Sequence, residues 1–151
     1  MRIAIAADEV TGVAAEMAEA VAARGHEVVA LHGALNPDER DDWAWCSEAA
    51  ARDVAEGRAE QALVACWTGT GASIAANKVG GVRAALCGDA ETAAGARQWN
   101  DANVLALSLR LLDAESLSSI LDAWFAASPV SDDDDLANIA HLGDIERDSR
   151  A

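Results

Sequence analysis

One segment of the chain combines a thiol, hydroxyl groups and glycines in an order that could do chemistry. It runs from Cys66 to Lys78 and reads CWTGTGASIAANK. The two glycines let backbone N–H groups turn inward, and a helix starting after them adds positive potential, so the turn could hold an anion or a developing oxyanion. The same potential favours a thiolate, which would make Cys66 a base or a nucleophile.

A structural explanation of Cys66 competes with the catalytic one. A cysteine at the end of an apolar strand is often an inert core residue, and its position alone favours that explanation. The surroundings of Cys66 in the folded chain therefore have to decide between an inert and a catalytic cysteine.

Nucleotide-binding motifs fit the segment poorly. A Walker A loop needs Gly-Lys-Ser/Thr, whereas Lys78 is preceded by asparagine and followed by valine. The spacing Gly69-x-Gly71-x-x-Ile74 partly imitates a dinucleotide fingerprint, but its third glycine is missing and it does not follow the first strand. It supports a nicotinamide cofactor only weakly, and we expect no cofactor.

The elements that must position this segment alternate along the chain. Nearly continuous apolar runs predict five strands, at 2–7, 27–31, 62–66, 83–87 and 104–108. Amphipathic stretches, several closed by glycine, predict helices at 13–24, 43–56, 72–79, 91–99 and, with less sharp ends, 115–126. The alternation predicts an α/β fold, a three-layer αβα Rossmann-like sandwich with a five-stranded parallel sheet.

The predicted fold indicates where a ligand would bind. In open parallel sheets, ligands lie beyond the carboxyl ends of the strands. We therefore expect the site among the loops 8–12, 67–71 and 88–90 and near Ser108.

The composition bears on the classes of partner that the protein can bind and on its redox compartment. The 151 residues hold 26 acidic and 11 basic side chains, a formal net charge of −15, and 52% of them are hydrophobic. This acidic excess argues against nucleic acid and anionic membranes as partners, and the apolar fraction indicates a folded protein. The sequence contains no apolar run that predicts a signal peptide or a membrane span. Three cysteines without a C-x-x-C pair predict a reducing cytoplasm, with neither a disulfide framework nor a metal site.

The C-terminal segment differs in character from the rest of the chain. We expect one domain over 1–128 and an acidic helix or tail over 129–151, which begins with the run Asp132–Asp135. The spacing of Leu136, Ile139 and Leu142 slightly favours the helix, whose first turn the acidic residues would suit.

Three strings carry a family resemblance: 66–77, then KVGGVRAALC at 78–87, then NDANVLAL at 100–107. In combination, the SIAANK and NDxNVLA strings are specific. They resemble the ribose-5-phosphate isomerase B and galactose-6-phosphate isomerase (RpiB/LacA/LacB) family. The similarity is strong over residues 66–107, weaker but collinear over 1–65, and fades after residue 127.

The resemblance implies aldose–ketose isomerisation of a sugar or sugar phosphate through an ene-diolate. In that family the cysteine matching Cys66 is the base that moves a proton between C1 and C2, and the hydroxyl matching Thr68 assists. The backbone of the turn 67–71 would hold the ene-diolate oxygens. Asp8 and Asn100 would contact sugar hydroxyls.

The resemblance also implies a homodimer, or a dimer of dimers, whose sites are shared between subunits. Arg110 matches an arginine that reaches the substrate phosphate from the partner subunit. The residues expected to bind substrate are Asp8, Glu9, Trp43, Trp67, Gly69, Thr70, Gly71, Ser73, Trp99, Asn100 and Arg110.

Several positions near the expected site depart from the family pattern. Asp8 is followed by Glu9 where the family has histidine, Trp99 replaces the histidine that helps to open the sugar ring, and Trp67 replaces a glycine. The family's Asp-Tyr-Pro reads Asp42-Trp43-Ala44, and its C-terminal basic motif is absent. These changes predict weaker phosphate binding and a more apolar pocket. Alternatively, the tryptophans fill core or subunit interface.

Three functions stay open on the sequence alone. The first is an isomerase that uses Cys66 on a sugar phosphate or related hydroxy-carbonyl compound, with ribose 5-phosphate as a poor substrate. The second keeps the chemistry but acts on a non-phosphorylated carbonyl compound. The third is a non-catalytic family member that binds a ligand or a homologous subunit. Retention of Cys66, Thr68 and Asn100 favours an enzyme, whereas loss of the histidine and the arginines favours a binder.

Overall fold

A computed structural model describes residues 1–150 of the chain. The sheet strands and helices alternate as the sequence predicts. In chain order they are β1 (Arg2–Ala7), a 3₁₀ helix (Gly12–Glu16), α1 (Met17–Ala22), β2 (Glu27–Gly33), α2 (Trp43–Ala55), β3 (Gln61–Cys66), α3 (Thr70–Asn77), β4 (Ala84–Leu86), α4 (Ala90–Asn100), β5 (Val104–Ser108), α5 (Ala114–Ala126) and α6 (Asp133–Arg150). The strands form one parallel sheet in the order β2-β1-β3-β5-β4. The predicted fold class is confirmed.

The central strands bury side chains on both faces of the sheet. In β1, Ile3 and Ile5 point to one face and Ala4 and Ala6 to the other, and all four are fully buried. The isoleucine face packs against α1, α4 and α5, where Trp124 is the bulkiest fully buried side chain. The opposite face consists mainly of alanines, including those that α2 and α3 present to it, so these two helices lie close to the sheet.

Element boundaries differ from the sequence prediction in several places. The predicted helix 13–24 is a 3₁₀ helix followed by the short α1, a common arrangement at helix starts. Helix α3 begins at Thr70 rather than residue 72, because Gly69 takes the chain reversal alone at a φ of 76°. Strand β4 begins one residue later than predicted, since the N–H of Arg83 donates to the Asn103 side chain.

The C-terminal segment forms a helix rather than a tail. Its first turn carries Asp133, Asp134 and Asp135, where the helix dipole favours negative charge. Helix α6 packs against α4, and the Glu146 carboxylate accepts the N–H of Gly81 at 3.0 and 3.1 Å. Neither α6 nor any other helix within residues 1–150 is long and apolar enough to cross a membrane.

Candidate active site

Cys66 ends the central strand β3 at the carboxyl edge of the sheet. The residue is 5% exposed and borders a cleft of about 300 Å³. The cleft is lined by Asp8, Trp43, Cys66, Trp67, Thr68, Thr70 and Gly71, all of which belong to the expected site. Cys66 therefore lies at the boundary between the core and a cleft.

The turn after Cys66 depends on the backbone of Gly69. Its φ of 76° lies in the left-handed region that favours glycine. A Cβ there would stand 2.5 Å from Leu86 Cδ1 and 2.9 Å from the Leu107 carbonyl oxygen. The turn thus has both a conformational and a steric requirement for glycine.

Strand β5 anchors the same turn from the side. The Ser108 hydroxyl donates to the Trp67 carbonyl at 3.0 Å, and the Arg110 N–H donates to the same oxygen at 3.0 Å. The Leu109 N–H donates to the Cys66 carbonyl at 3.0 Å. The sequence predicts a site near Ser108 but no role for its hydroxyl; the signal that points to such a role is a polar residue closing a buried strand at the ligand edge.

A backbone donor faces the sulfur of Cys66. The N–H of Ala72, in the first turn of α3, donates to Cys66 Sγ at 3.4 Å. The contact places the sulfur at the N-terminal end of α3, where the helix dipole is positive. The side chain of Ala72 gives no sign of this role, so sequence reasoning missed it.

Hydroxyl groups stand at the mouth of the cleft. The side-chain oxygens of Thr68 and Thr70 lie 2.8 Å apart, and both residues are exposed. One hydroxyl donates to the other, so the pair still offers one free proton and acceptor lone pairs to a ligand.

Asp8 adds an acidic group to the cleft. Within residues 1–150, no group donates a hydrogen bond to its buried Oδ1. Burial raises the pKa of Asp8, and the neighbouring Glu9 raises it further. An unsatisfied carboxylate oxygen beside a cleft is suited to accept a hydrogen bond from a ligand hydroxyl.

Two tryptophans form walls of the cleft. The six-membered ring of Trp43 covers Gly71, where a Cβ would lie 3.0 Å from Cδ2 and Cε3 of that ring. Trp43 is 46% exposed and Trp67 is 54% exposed. Both therefore contribute apolar surface that a ligand can cover.

The chain matches a protein-family model over most of its length. A family model described as Ribose/Galactose Isomerase matches residues 3–141. The chain belongs to this family. The match includes both the Cys66 turn and the start of α6.

Curated relatives in the ribose/galactose isomerase family carry the names of sugar-phosphate isomerases. Ribose-5-phosphate isomerase B of Escherichia coli K12 is 42% identical over 89 residues, which are 59% of this chain and 60% of that protein. D-erythrulose-4-phosphate isomerase of Pectobacterium atrosepticum is 40% identical over 77 residues, 51% of each chain. Galactose-6-phosphate isomerase subunit LacB of Clostridium acetobutylicum is 33% identical over 128 residues, 84% of this chain and 73% of that one. The chain thus spans about half to three-fifths of the first two relatives.

Solved structures of the family extend the likeness over the whole fold. Ribose-5-phosphate isomerase B of Clostridium thermocellum matches with a TM-score of 0.87 and 32% identity over 99% of both chains. The type B enzyme of Trypanosoma cruzi matches with a TM-score of 0.88 and 29% identity, over 98% of this chain and 99% of that one.

Other expected site residues lie outside the Cys66 cleft of this single chain. The Trp99 ring folds back over Gly95 of α4 and borders a different groove. Asn100 borders the groove beneath α6, and Arg110 lies beside the Trp67 carbonyl at the end of β5. Ser73 lies one turn into α3, where its N–H donates to the Gly69 carbonyl at 3.0 Å.

The tryptophans at or near positions of the expected site are Trp43, Trp45, Trp67 and Trp99, and they do not line one pocket within a single chain. Trp43 and Trp67 border the cleft. The ring centroid of Trp45 instead lies 3.5 Å from the guanidinium carbon of Arg40. Trp99 covers its own helix. Positions two apart in an α-helix project to roughly opposite sides, which is why Trp43 and Trp45 of α2 separate.

Proposed function

We propose that this chain is a sugar-phosphate isomerase in which Cys66 moves a proton between C1 and C2. In the direction from aldose to ketose, the thiolate removes the C2 proton and the negative charge passes to an ene-diolate oxygen. The thiol then returns the proton to C1, while a proton passes from O2 to O1. The observation that carries the proposal is the Ala72 N–H aimed at the Cys66 sulfur beside an open cleft.

The remaining residues of the cleft suit the proposed intermediate. Backbone N–H groups at the start of α3 and the hydroxyls of Thr68 and Thr70 can stabilise the ene-diolate oxygen. Asp8 Oδ1 can accept a hydrogen bond from a sugar hydroxyl. Trp43 and Trp67 limit the access of water to the reacting carbons.

We propose a short, open-chain sugar phosphate as the preferred substrate. Trp99 cannot transfer a proton as the family's ring-opening histidine does, so a furanose such as ribose 5-phosphate would be a poor substrate. A cleft of about 300 Å³ is at the small end of ligand sites. The relative from Pectobacterium atrosepticum is named for a four-carbon ketose phosphate.

The charge around the cleft supports a second candidate, an isomerase of a non-phosphorylated carbonyl compound. The residues that line it include Asp8 but neither lysine nor arginine. A phosphate would therefore depend on Arg110 or on a second subunit for its positive partner.

We propose that two copies of the chain complete each site, as a homodimer or a dimer of dimers. Arg110 from one copy would reach the phosphate bound beside Cys66 of the other. The proposal is supported by the exposure of Trp67, Trp99 and Arg110 in the single chain. We also propose a cytoplasmic location, since the three cysteines are free.

A steady-state comparison of substrates tests the proposed function. The substrates are D-erythrulose 4-phosphate, D-erythrulose and ribose 5-phosphate, with Cys66→Ala as the blank. We expect the highest kcat/KM for the four-carbon phosphate. A highest value for ribose 5-phosphate, at about 10⁴ M⁻¹s⁻¹ or above, would contradict the substrate assignment. Turnover of none of them would favour a non-catalytic binder.

A further inference from the structure

A cluster of charged groups outside the cleft surrounds His32, near the end of β2. Nε2 of its ring lies 2.7 Å from an Asp53 carboxylate oxygen, and Nδ1 lies 2.9 Å from a Glu39 carboxylate oxygen. A neutral imidazole has only one N–H, so both contacts are hydrogen bonds only when the ring is protonated. His32 therefore joins the two carboxylates as an imidazolium.

Each carboxylate is also held by a second group. Asp53 lies on α2 with a side chain only 8% exposed, and it accepts from Arg58 Nε at 2.6 Å. Glu39 accepts the N–H of Gly33 at 3.3 Å. The least exposed carboxylate, that of Asp53, thus contacts two cationic groups, while Arg58 also pairs with the exposed Glu56. Pairing of this kind is what makes a buried charge stable.

Glu39 ties an irregular segment to this cluster. Residues 34–42 form neither helix nor strand. Backbone hydrogen bonds from Ala34 to Ala7 and from Asn36 to Gly33 hold the start of the segment. Glu39 links its middle to β2 and, through His32, to α2. Within the segment, the Asn36 amide also donates to Glu39 at 3.0 Å. The His32 cluster thus ties the segment to β2, the edge strand of the sheet.

The same segment leads directly into the cleft. Its last residues come close enough to the site for Asp41 to add to the raised pKa of Asp8, after burial and Glu9. The next residue after the segment is Trp43, whose ring covers Gly71 and borders the cleft. The position of the Trp43 wall therefore depends on the path that residues 34–42 take.

We propose that His32 is a positioning residue for the active site. Held between Glu39 and Asp53, its protonated ring fixes segment 34–42 and, through it, the Trp43 wall of the Cys66 cleft. His32 touches no substrate, so it acts on substrate affinity and leaves proton transfer at Cys66 intact. The effect on kinetics rests on the proposed isomerase function, whereas the effect on the segment does not.

Hydrogen–deuterium exchange tests the structural part without any substrate. In His32→Gln, peptides covering 34–45 are expected to exchange at least tenfold faster than in the wild type and to approach the rate of an unprotected segment, because the loss of the ion pairs lowers the free energy of local opening. His141→Gln is the matched control, since it removes an exposed histidine that also contacts a carboxylate, that of Asp144. Equal exchange of 34–45 in His32→Gln and the wild type would overturn the proposal.

Steady-state kinetics with D-erythrulose 4-phosphate test the functional part. If the ordered segment becomes a tenth as populated, KM rises about tenfold while kcat stays within about twofold. Glu39→Gln, at the more exposed end of the cluster, is expected to raise KM similarly, and the double variant should add little to either. A merely structural role would lower the melting temperature and leave KM unchanged, which would also overturn the proposal.

The pH dependence of KM gives a third readout. Burial alone would lower the pKa of His32, but hydrogen bonds to Asp53 and Glu39 outweigh burial and the net shift is upward. The charged groups facing the ring are Glu39 from the segment and Asp53 from α2, with Arg58 behind Asp53, while neighbouring β1 presents the uncharged Ala6.

The sign of the pH effect follows from that raised pKa. The imidazolium contacts are complete below the ordinary histidine pKa of about 6.5 and are lost as pH rises through the higher pKa of the folded state. Wild-type KM should rise over that range, whereas His32→Gln should show a high KM throughout. A wild-type KM that is independent of pH there would contradict the proposal. If the wild type turns over no sugar phosphate, the function fails, and the exchange experiment still decides the role of His32.

Discussion

Gly69 fixes the turn that brings the helix α3 N–H groups to the Cys66 sulfur. Gly69→Ala is expected to lower the free energy of unfolding by about 2 kcal/mol or more, since a left-handed conformation costs about 1–2 kcal/mol before any clash. The clash with Leu86 and the Leu107 carbonyl adds to that cost and should shift the turn, so kcat falls as well. Urea unfolding and steady-state kinetics measure the two effects.

Gly88→Ala is the matched control for Gly69→Ala. Gly88 also follows a strand at the carboxyl edge of the sheet, but a Cβ there meets nothing within 4 Å and its φ is not positive. Its substitution should change the free energy of unfolding by no more than about 0.5 kcal/mol. Equal effects of the two substitutions would show that neither the positive φ of Gly69 nor its close approach to Leu86 and Leu107 requires glycine there.

Some site residues could be predicted from the sequence and others could not. Cys66, Thr68 and Gly71 belong to one local string, so their neighbourhood is readable from spacing alone. The Ala72 donor is a backbone group, and the Ser108 anchor comes from a strand 42 positions after Cys66 in the chain, so both depend on tertiary placement. The His32 cluster joins three separate elements and leaves no local pattern.

At the scale of elements, close approach of α2 and α3 to the sheet places Trp43 and the α3 N-terminus beside Cys66. The contact surface is built from alanines, and Ala50 of α2 is fully buried within it. Ala50→Leu is expected to cost about 1–3 kcal/mol of stability through overpacking. The displaced helix should also raise KM, because Trp43 moves with it.

Ala55→Leu provides the control for this substitution. Ala55 is the last residue of α2 and is exposed, so the same added volume has no neighbour to displace. Thermal unfolding and substrate kinetics of both variants are the measurements. If Ala50→Leu unfolds and turns over substrate as Ala55→Leu does, close packing of α2 does not position the site.

Element order was predictable because each element has a local signature. The strands are continuous apolar runs, and Gly25, Gly57 and Gly81 take positive φ values just after the preceding helices or turns. Boundaries were less predictable where tertiary contacts decide them. The side chain of Asn103 takes the N–H of Arg83 and delays β4, which no propensity of residues 83–87 indicates.

For the assembled protein, we expect a dimer or a dimer of dimers. Exposed tryptophans at positions 67 and 99 supply apolar surface of the kind enriched at interfaces. Static light scattering at micromolar concentration should therefore give at least twice the monomer mass of 15.6 kDa. Monomer alone at that concentration would contradict the shared site and leave Arg110 without its proposed role.

The proposed chemistry depends on Cys66 carrying the proton between C1 and C2. The most direct test is deuterium incorporation from D₂O into D-erythrulose 4-phosphate and its aldose product, followed by NMR. Because the Cys66 thiol exchanges its proton with solvent while the ene-diolate is bound, wild type should place deuterium at C1 of the ketose and at C2 of the aldose. Cys66→Ala should lose this exchange and isomerisation together, by about 10²–10⁴-fold. Cys87→Ala is the control, because burial and then Asp89 raise the pKa of that thiol to about 12. Exchange in Cys66→Ala at the wild-type rate would contradict the claim.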